Sequence, residues 1–189
     1  MREERLLDHA AQARMYAPLE LADGRSENYG LGWGVGRYRQ HDYTCHAGGV
    51  PGFSSFFGRF PADDVAIIIL SNRAGFDAAR LAGQISQLCL DLPPLTREAV
   101  AINPERLSAM VGVYSSVHGT VEIKAEAQTL LYISDGTAHL LFPMSETSFY
   151  QGDDEETEVH FEDVDEQGSY RRIRVIEPFH WLTAERVKS

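Results

Sequence analysis

Six consecutive apolar residues, Val65-Ala66-Ile67-Ile68-Ile69-Leu70, constrain this fold more than any other feature. They follow the turn-forming Pro61-Ala62-Asp63-Asp64 and are strand-sized. Side chains of a strand alternate between faces, so a run without alternation places aliphatic groups on both. The sheet that holds it is therefore expected as a central layer with helices on each side. One covering helix is legible over Asp77–Leu90, where Ala78, Leu81, Ile85 and Leu88 share a stripe. A shorter one is expected over Leu6–Tyr16, from Leu7, Ala10, Ala11 and Met15. Companion strands are expected at Tyr29–Tyr38, Tyr43–Gly49 and Phe53–Phe60, with turns at Asp23–Asn28 and Gln40–Asp42. Two short helices are thin cover for such a sheet. Ile67 and Ile69 point one way and Ile68 and Leu70 the other, so one face is expected to keep an apolar patch that favours self-association.

Leu92-Pro93-Pro94-Leu95 stops the second helix, and the pattern beyond it is all-β. Short strands are expected at Val111–Ser115, Thr120–Ala125, Thr129–Ser134, Ala138–Pro143, Ser148–Gln151, Thr157–Glu162 and Tyr170–Ile176. Turn signals separate them at Val117-His118-Gly119, Ser134-Asp135-Gly136, Gln151-Gly152-Asp153 and Glu166-Gln167-Gly168. Regular spacing of this kind suggests a small barrel or sandwich. The fold class is thus α+β: an antiparallel sheet with flanking helices over residues 1–92, a linker over 93–103, and an antiparallel β domain over 104–189.

Composition excludes some partners. The 189 residues carry 17 basic and 28 acidic side chains, a formal charge of −11, and the only lysines are Lys124 and Lys188. Nucleic acid needs clustered cations, so it is not an expected partner. No apolar run approaches the ~18 residues of a membrane-spanning helix. Met1–Arg5 leads into polar residues, so the chain as written has no signal peptide and reads as cytoplasmic. Cys45 and Cys89 are too few for a disulfide framework and read as reduced thiols.

Three motifs occur in order at short spacing: Tyr29-Gly30-Leu31-Gly32-Trp33, His46-Ala47-Gly48-Gly49-Val50-Pro51-Gly52-Phe53-Ser54-Ser55, and Ile69-Leu70-Ser71-Asn72-Arg73. Together they resemble the C-terminal portion of the serine β-lactamase-like family, which groups class C β-lactamases, D-alanyl-D-alanine peptidases and related esterases. Residues 104–187, with Val111-Gly112-Val113-Tyr114, resemble the small lipocalin-like barrel that often follows such domains. The resemblance implies acyl transfer to water through an acyl-serine, with a lactam, peptide or ester as substrate and no cofactor. His46-Ala47-Gly48 matches the family's third motif, on the strand beside the cleft. By that match His46 orients substrate and polarises the proton network, the backbone N–H of Gly49 donates to the oxyanion, and Ala47 and Gly48 line the substrate. A glycine pair and fixed N–H dipoles suit that chemistry.

The departures are as informative. No Ser is followed three residues later by Lys, and no Tyr two residues later by Asn. Ser26-Glu27-Asn28 has a Ser-x-Asn form but lies in a turn only eighteen residues before His46. The nucleophile motif is therefore missing, and the expectation is a C-terminal part of a larger hydrolase, inactive alone. Ser54 and Ser55 lack a Gly-x-Ser-x-Gly elbow and read as strand hydroxyls. His9, His41, His118, His139, His160 and His180 form no pair with zinc-ligand spacing. Asp163–Gly168 lacks the oxygen-ligand pattern of a calcium loop, so the acidic stretch from Glu146 to Glu166 reads as a solvated rim. The alternative from another class is a self-sufficient, non-catalytic binding or interaction module built on the β domain.

Overall fold

The computed structural model describes residues 6–22, 26–116 and 119–187. Part of the expected turn at Asp23–Asn28 and the Val117-His118 turn lie outside those residues. The chain divides into two compact units, Met1–Pro94 and Leu95–Ser189.

In the first unit, α1 (His9–Tyr16) starts where the Asp8 carboxylate caps the Ala11 N–H at 2.7 Å. The two-residue strands β1 (Leu19–Glu20) and β2 (Ser26–Glu27) pair with each other. The main sheet is antiparallel, in the order β3 (Gly34–Tyr38), β4 (His41–Val50), β5 (Phe53–Phe60), β6 (Val65–Ser71). The glycine-rich segment is thus a strand only from Gly34; before it, Gly32 takes φ 78° in a turn closed by Gly30 N–H to the Trp33 carbonyl. The turn expected at Gln40–Asp42 falls one residue earlier. Arg39 and Gln40 both take left-handed φ, 44° and 75°, a role usually given to Asn-Gly, so the residue types hid it.

Helix α2 (Ala78–Cys89) covers one face of this sheet, and Asp77 caps it by accepting from the Arg80 N–H at 2.9 Å. Phe56, Phe60, Ile67 and Ile69 are buried there with Ala78 and Ala82, and the Tyr38 hydroxyl donates to the Gly83 carbonyl. The other face is covered in part. Tyr16 packs edge-on against Trp33 and Trp33 against Phe57, and Val35 and Thr44 are buried. Toward β6 that cover ends: Ile68 is 65% exposed and Leu70 82%. The expectation of helices on each side is corrected accordingly, because α1 buries no residue of its own and only α2 forms a full layer.

The second unit is a closed eight-stranded antiparallel barrel of the lipocalin-like kind. Its strands are β7 (Gly112–Ser116), β8 (Gly119–Glu126), β9 (Thr129–Ser134), β10 (Thr137–Pro143), β11 (Ser148–Gln151), β12 (Asp154–Val164), β13 (Tyr170–Glu177) and β14 (His180–Arg186). Neighbours in sequence pair throughout, and β14 returns to β7 through Glu185–Ser115 and Arg186–Tyr114. β14 was not expected from the sequence, nor was α3 (Pro104–Met110), whose Asn103 cap and first-turn Pro104 are nonetheless a standard helix start. Leu107 and Met110 of α3 plug one end. Side chains fill the interior, among them Tyr114, Ile123, Leu130, Leu141, Phe149, Phe161 and Ile173. The segment before α3 is tied to the barrel wall. Arg97 donates to the Glu155 carbonyl at 2.7 Å, pairs with the Glu158 carboxylate and lies over the Tyr150 ring, and the Val100 N–H donates to Pro143.

Candidate active site

The His46-Ala47-Gly48-Gly49-Val50 run forms the second half of β4, and all five residues are exposed. β3 pairs with β4 only as far as Gly34 opposite Cys45, whereas β5 pairs with it to the end. From His46 onward, therefore, one edge of β4 carries no strand among the described residues.

Which backbone groups face that edge follows from the two hairpin turns. Arg39-Gln40 joins the paired Tyr38 and His41, and Pro51-Gly52 joins the paired Val50 and Phe53. A two-residue turn makes its flanking pair the hydrogen-bonded one, and the direction then alternates along the strand. Counting from His41 sends the groups of Cys45, Ala47 and Gly49 toward β3; counting back from Val50 sends those of Gly48 and His46 toward β5. The two counts agree. The N–H and C=O of Ala47 and Gly49 point out of the open edge.

Alternation also sorts the side chains. His46 shares a face with Phe57 and Ile68, through the pairs His46–Phe57 and Phe57–Ile68. Its imidazole lies 6.2 Å from the Tyr29 ring, tilted by 59°. Cys45 is on the opposite face and buried; burial alone pushes its thiol up to about 12. Next to it, burial and then the Cys45 charge push the Tyr43 phenol above its ordinary value. A Cys–His nucleophile at 45–46 is thus ruled out by both direction and protonation. Ser54 Oγ donates to the Arg73 carbonyl at 3.1 Å and Ser55 Oγ to the Gly48 carbonyl at 3.4 Å, so both hydroxyls serve backbone acceptors.

The glycines differ in what requires them. A Cβ on Gly48 would stand 2.7 Å from Ser55 Oγ, and one on Gly30 would stand 2.3 Å from the Met15 carbonyl oxygen. A Cβ on Gly49 would meet nothing nearer than 4.0 Å. Packing inside the unit explains Gly30 and Gly48 but not Gly49.

Sequence reasoning found the His46–Gly49 strand and missed its surroundings. The ring contacts of Tyr29, Trp33 and Tyr16 and a groove of about 330 Å³ lined by Arg73, Asp77 and Arg80 come from separate segments. Only the joint spacing of the three motifs hinted that these segments converge.

The Beta-lactamase family profile matches residues 3–89. These residues are thus similar to the serine β-lactamase-like family. Penicillin-binding protein 4* of Bacillus subtilis (strain 168) is 28% identical over 159 residues, which are 78% of this chain and 35% of that protein. The chain thus spans about a third of that relative's length. Among solved structures, SurE with D-Leu shares the fold at a TM-score of 0.55 and 16% identity, over 96% of this chain and 44% of SurE. A penicillin-binding protein homologue from Pyrococcus abyssi, described as octameric, aligns at a TM-score of 0.45 and 19% identity, over 96% of this chain and 43% of its own. No described helix is long and apolar enough to cross a membrane.

Proposed function

We propose that this chain forms one wall of an acyl-transfer cleft, with the attacking serine and its proton acceptor carried by residues outside this sequence. One observation carries the reading: the amide groups of Ala47 and Gly49 point out of an unpaired, exposed strand edge within the family's third motif. An extended acyl substrate, whether lactam, peptide or ester, lies along that edge as an added strand. The Gly49 N–H then donates to its carbonyl oxygen and holds the negative charge as the carbonyl becomes tetrahedral. Glycine at 49, which internal packing does not require, gives the substrate room. Ala47 and Gly48 flank the bound chain, and the exposed His46 beside Tyr29 orients the polar end of the substrate.

The covalent step belongs to the missing groups. A serine oxygen adds to the carbonyl carbon, the leaving group departs with the proton, and water then hydrolyses the acyl-serine. No Ser-x-x-Lys stands in these 189 residues, so by this reading the chain alone is inactive. The same reading has the open face at Ile68 and Leu70 drive self-association of the isolated chain. The alternative is a self-sufficient, non-catalytic binding or interaction module built on the barrel; its filled core leaves the outer surface as the place for a partner.

The test is a titration of the ¹⁵N-labelled chain with N-acetyl-D-alanyl-D-alanine, alongside exposure to a fluorophosphonate probe. The Ala47 and Gly49 amides should shift most, and the mass of the chain should stay unchanged. Covalent labelling of any serine, or shifts that spare those two amides, would overturn the proposal.

A further inference from the structure

The barrel closes over a short seam. β14 pairs with β7 only at Glu185–Ser115 and Arg186–Tyr114, whereas β13 pairs with it from His180 to Glu185. From His180 to Ala184, one edge of β14 therefore carries no strand among the described residues. Which backbone groups face that edge follows from the β13–β14 turn, where Pro178-Phe179 joins the paired Glu177 and His180. Counting from this hydrogen-bonded pair, His180, Leu182 and Ala184 bond β13, and Trp181, Thr183 and Glu185 face the other way. The Val187 N–H, which donates to the Val113 carbonyl at 2.8 Å, continues the same alternation. The N–H and C=O of Trp181 and Thr183 thus point out of an unfilled edge.

Side chains along the edge alternate as well. Leu182 and Ala184 lie opposite the buried Val175 and Ile173 and face inward with them. Trp181 and Thr183 face outward, and the Arg174 guanidinium, paired with Glu162, stands 5.9 Å over the Trp181 ring. At the end of the edge, Glu177 lies opposite His180. The barrel rim there is acidic. Sequence neighbours pair all the way round, so the segments 134–137, 151–154 and 177–180 share that end. They hold Asp135, Asp153, Asp154 and Glu177 and no Lys or Arg.

We propose that this edge receives an extended, basic segment of a partner protein as an added antiparallel strand. Residues of the segment opposite Thr183 and Trp181 exchange both backbone hydrogen bonds with them, which fixes the register. The residue between those two faces inward beside Leu182 and is apolar. The outward pair is neutral, because Arg174 already stands over Trp181. The next residue, opposite His180, is Lys or Arg and reaches the acidic rim at Glu177. Charge selects this occupant over a second copy of the chain. Pairing two β14 edges antiparallel would set two acidic rims against each other, whereas a basic segment is attracted to one. The site uses the second unit alone and so stands independently of the acyl-transfer reading.

The experiment titrates the ¹⁵N-labelled full chain with acetyl-Thr-Val-Thr-Lys-Lys-amide and follows the Trp181 and Thr183 amides. Two control peptides carry Glu-Glu in place of Lys-Lys, or an N-methyl group on the second Thr. The basic peptide should give a saturable shift at roughly millimolar concentration, and each control should bind at least about tenfold more weakly. Thr183→Pro should weaken the basic peptide to the same extent while melting close to the parent, because the N–H it removes lies outside the β13 ladder. Should that variant melt early, the N-methylated peptide on the unaltered chain decides the matter. No saturable shift, equal binding of either control, or shifts that spare Trp181 and Thr183 would each overturn the proposal. So would dimerisation of the chain that Thr183→Pro abolishes, which would give the edge to a second copy.

Discussion

The two units solve the problem of β-structure in opposite ways. The barrel closes on itself through the β14–β7 pairing, and its inward side chains fill the space they enclose. The sheet of the first unit stops pairing halfway along β4 and leaves Ile68 and Leu70 uncovered. Closure gives the barrel a self-contained core; the open sheet keeps an edge and a face available to other groups. The His46–Gly49 run lies on the unit whose sheet stops pairing, beyond the last β3–β4 pair at Gly34 and Cys45.

The contrast can be broken most forcefully at Phe161, which meets Tyr114, Phe149 and Tyr170 within 6.4 Å between ring centroids. Phe161→Ala should cost about 3–5 kcal/mol and abolish the barrel's cooperative denaturant transition. Alkali should act next, and chiefly on the first unit. The folded Cys45 thiol lies at about 12 against an ordinary 9.0, so the stability it contributes is complete below pH 9 and is lost as pH rises toward 12. Tyr43 adds to the same loss. Circular dichroism through that range should follow the sheet unit, and at pH 8 a thiol reagent should label the exposed Cys89 while Cys45 stays protected. A pair of neighbours then sharpens the difference between the two faces of the sheet. Ile67→Ala should cost about 2–5 kcal/mol, while Ile68→Ala should cost about 0.5 kcal/mol or less and reduce light scattering and dye binding. The smallest effect is expected at the glycines. Gly30→Ala must displace the Met15 carbonyl and should cost about 1–3 kcal/mol, whereas Gly49→Ala should change the melting temperature hardly at all and weaken ligand shifts at the β4 edge.

The sequence carried the sheet, α2 and most of the barrel because those elements have clear periodicity and turn chemistry. It concealed features set by tertiary context. Arg39-Gln40 makes a left-handed turn without glycine or asparagine, with the Arg39 guanidinium bound to the Pro93 carbonyl at 2.8 Å. β14 begins next to Phe179, which adopts a turn conformation that favours glycine, so neither residue announces a hairpin. The strand that holds His46 and the glycine pair was readable from the sequence. The direction of the Gly49 N–H was not, because it depends on the length of both turns. The approach of the Tyr29 ring to His46 was not legible either, because it depends on the chain turning at Gly32.

Those two turns have a consequence for how this stretch can change over time. They lock the phase of the ten residues between them, so an insertion or deletion of a single residue in β4 would swing the Gly49 amide inward and carry the imidazole to the α2 side. Length variation among working relatives should therefore come in steps of two here, or be absorbed in a bulge that restores the phase.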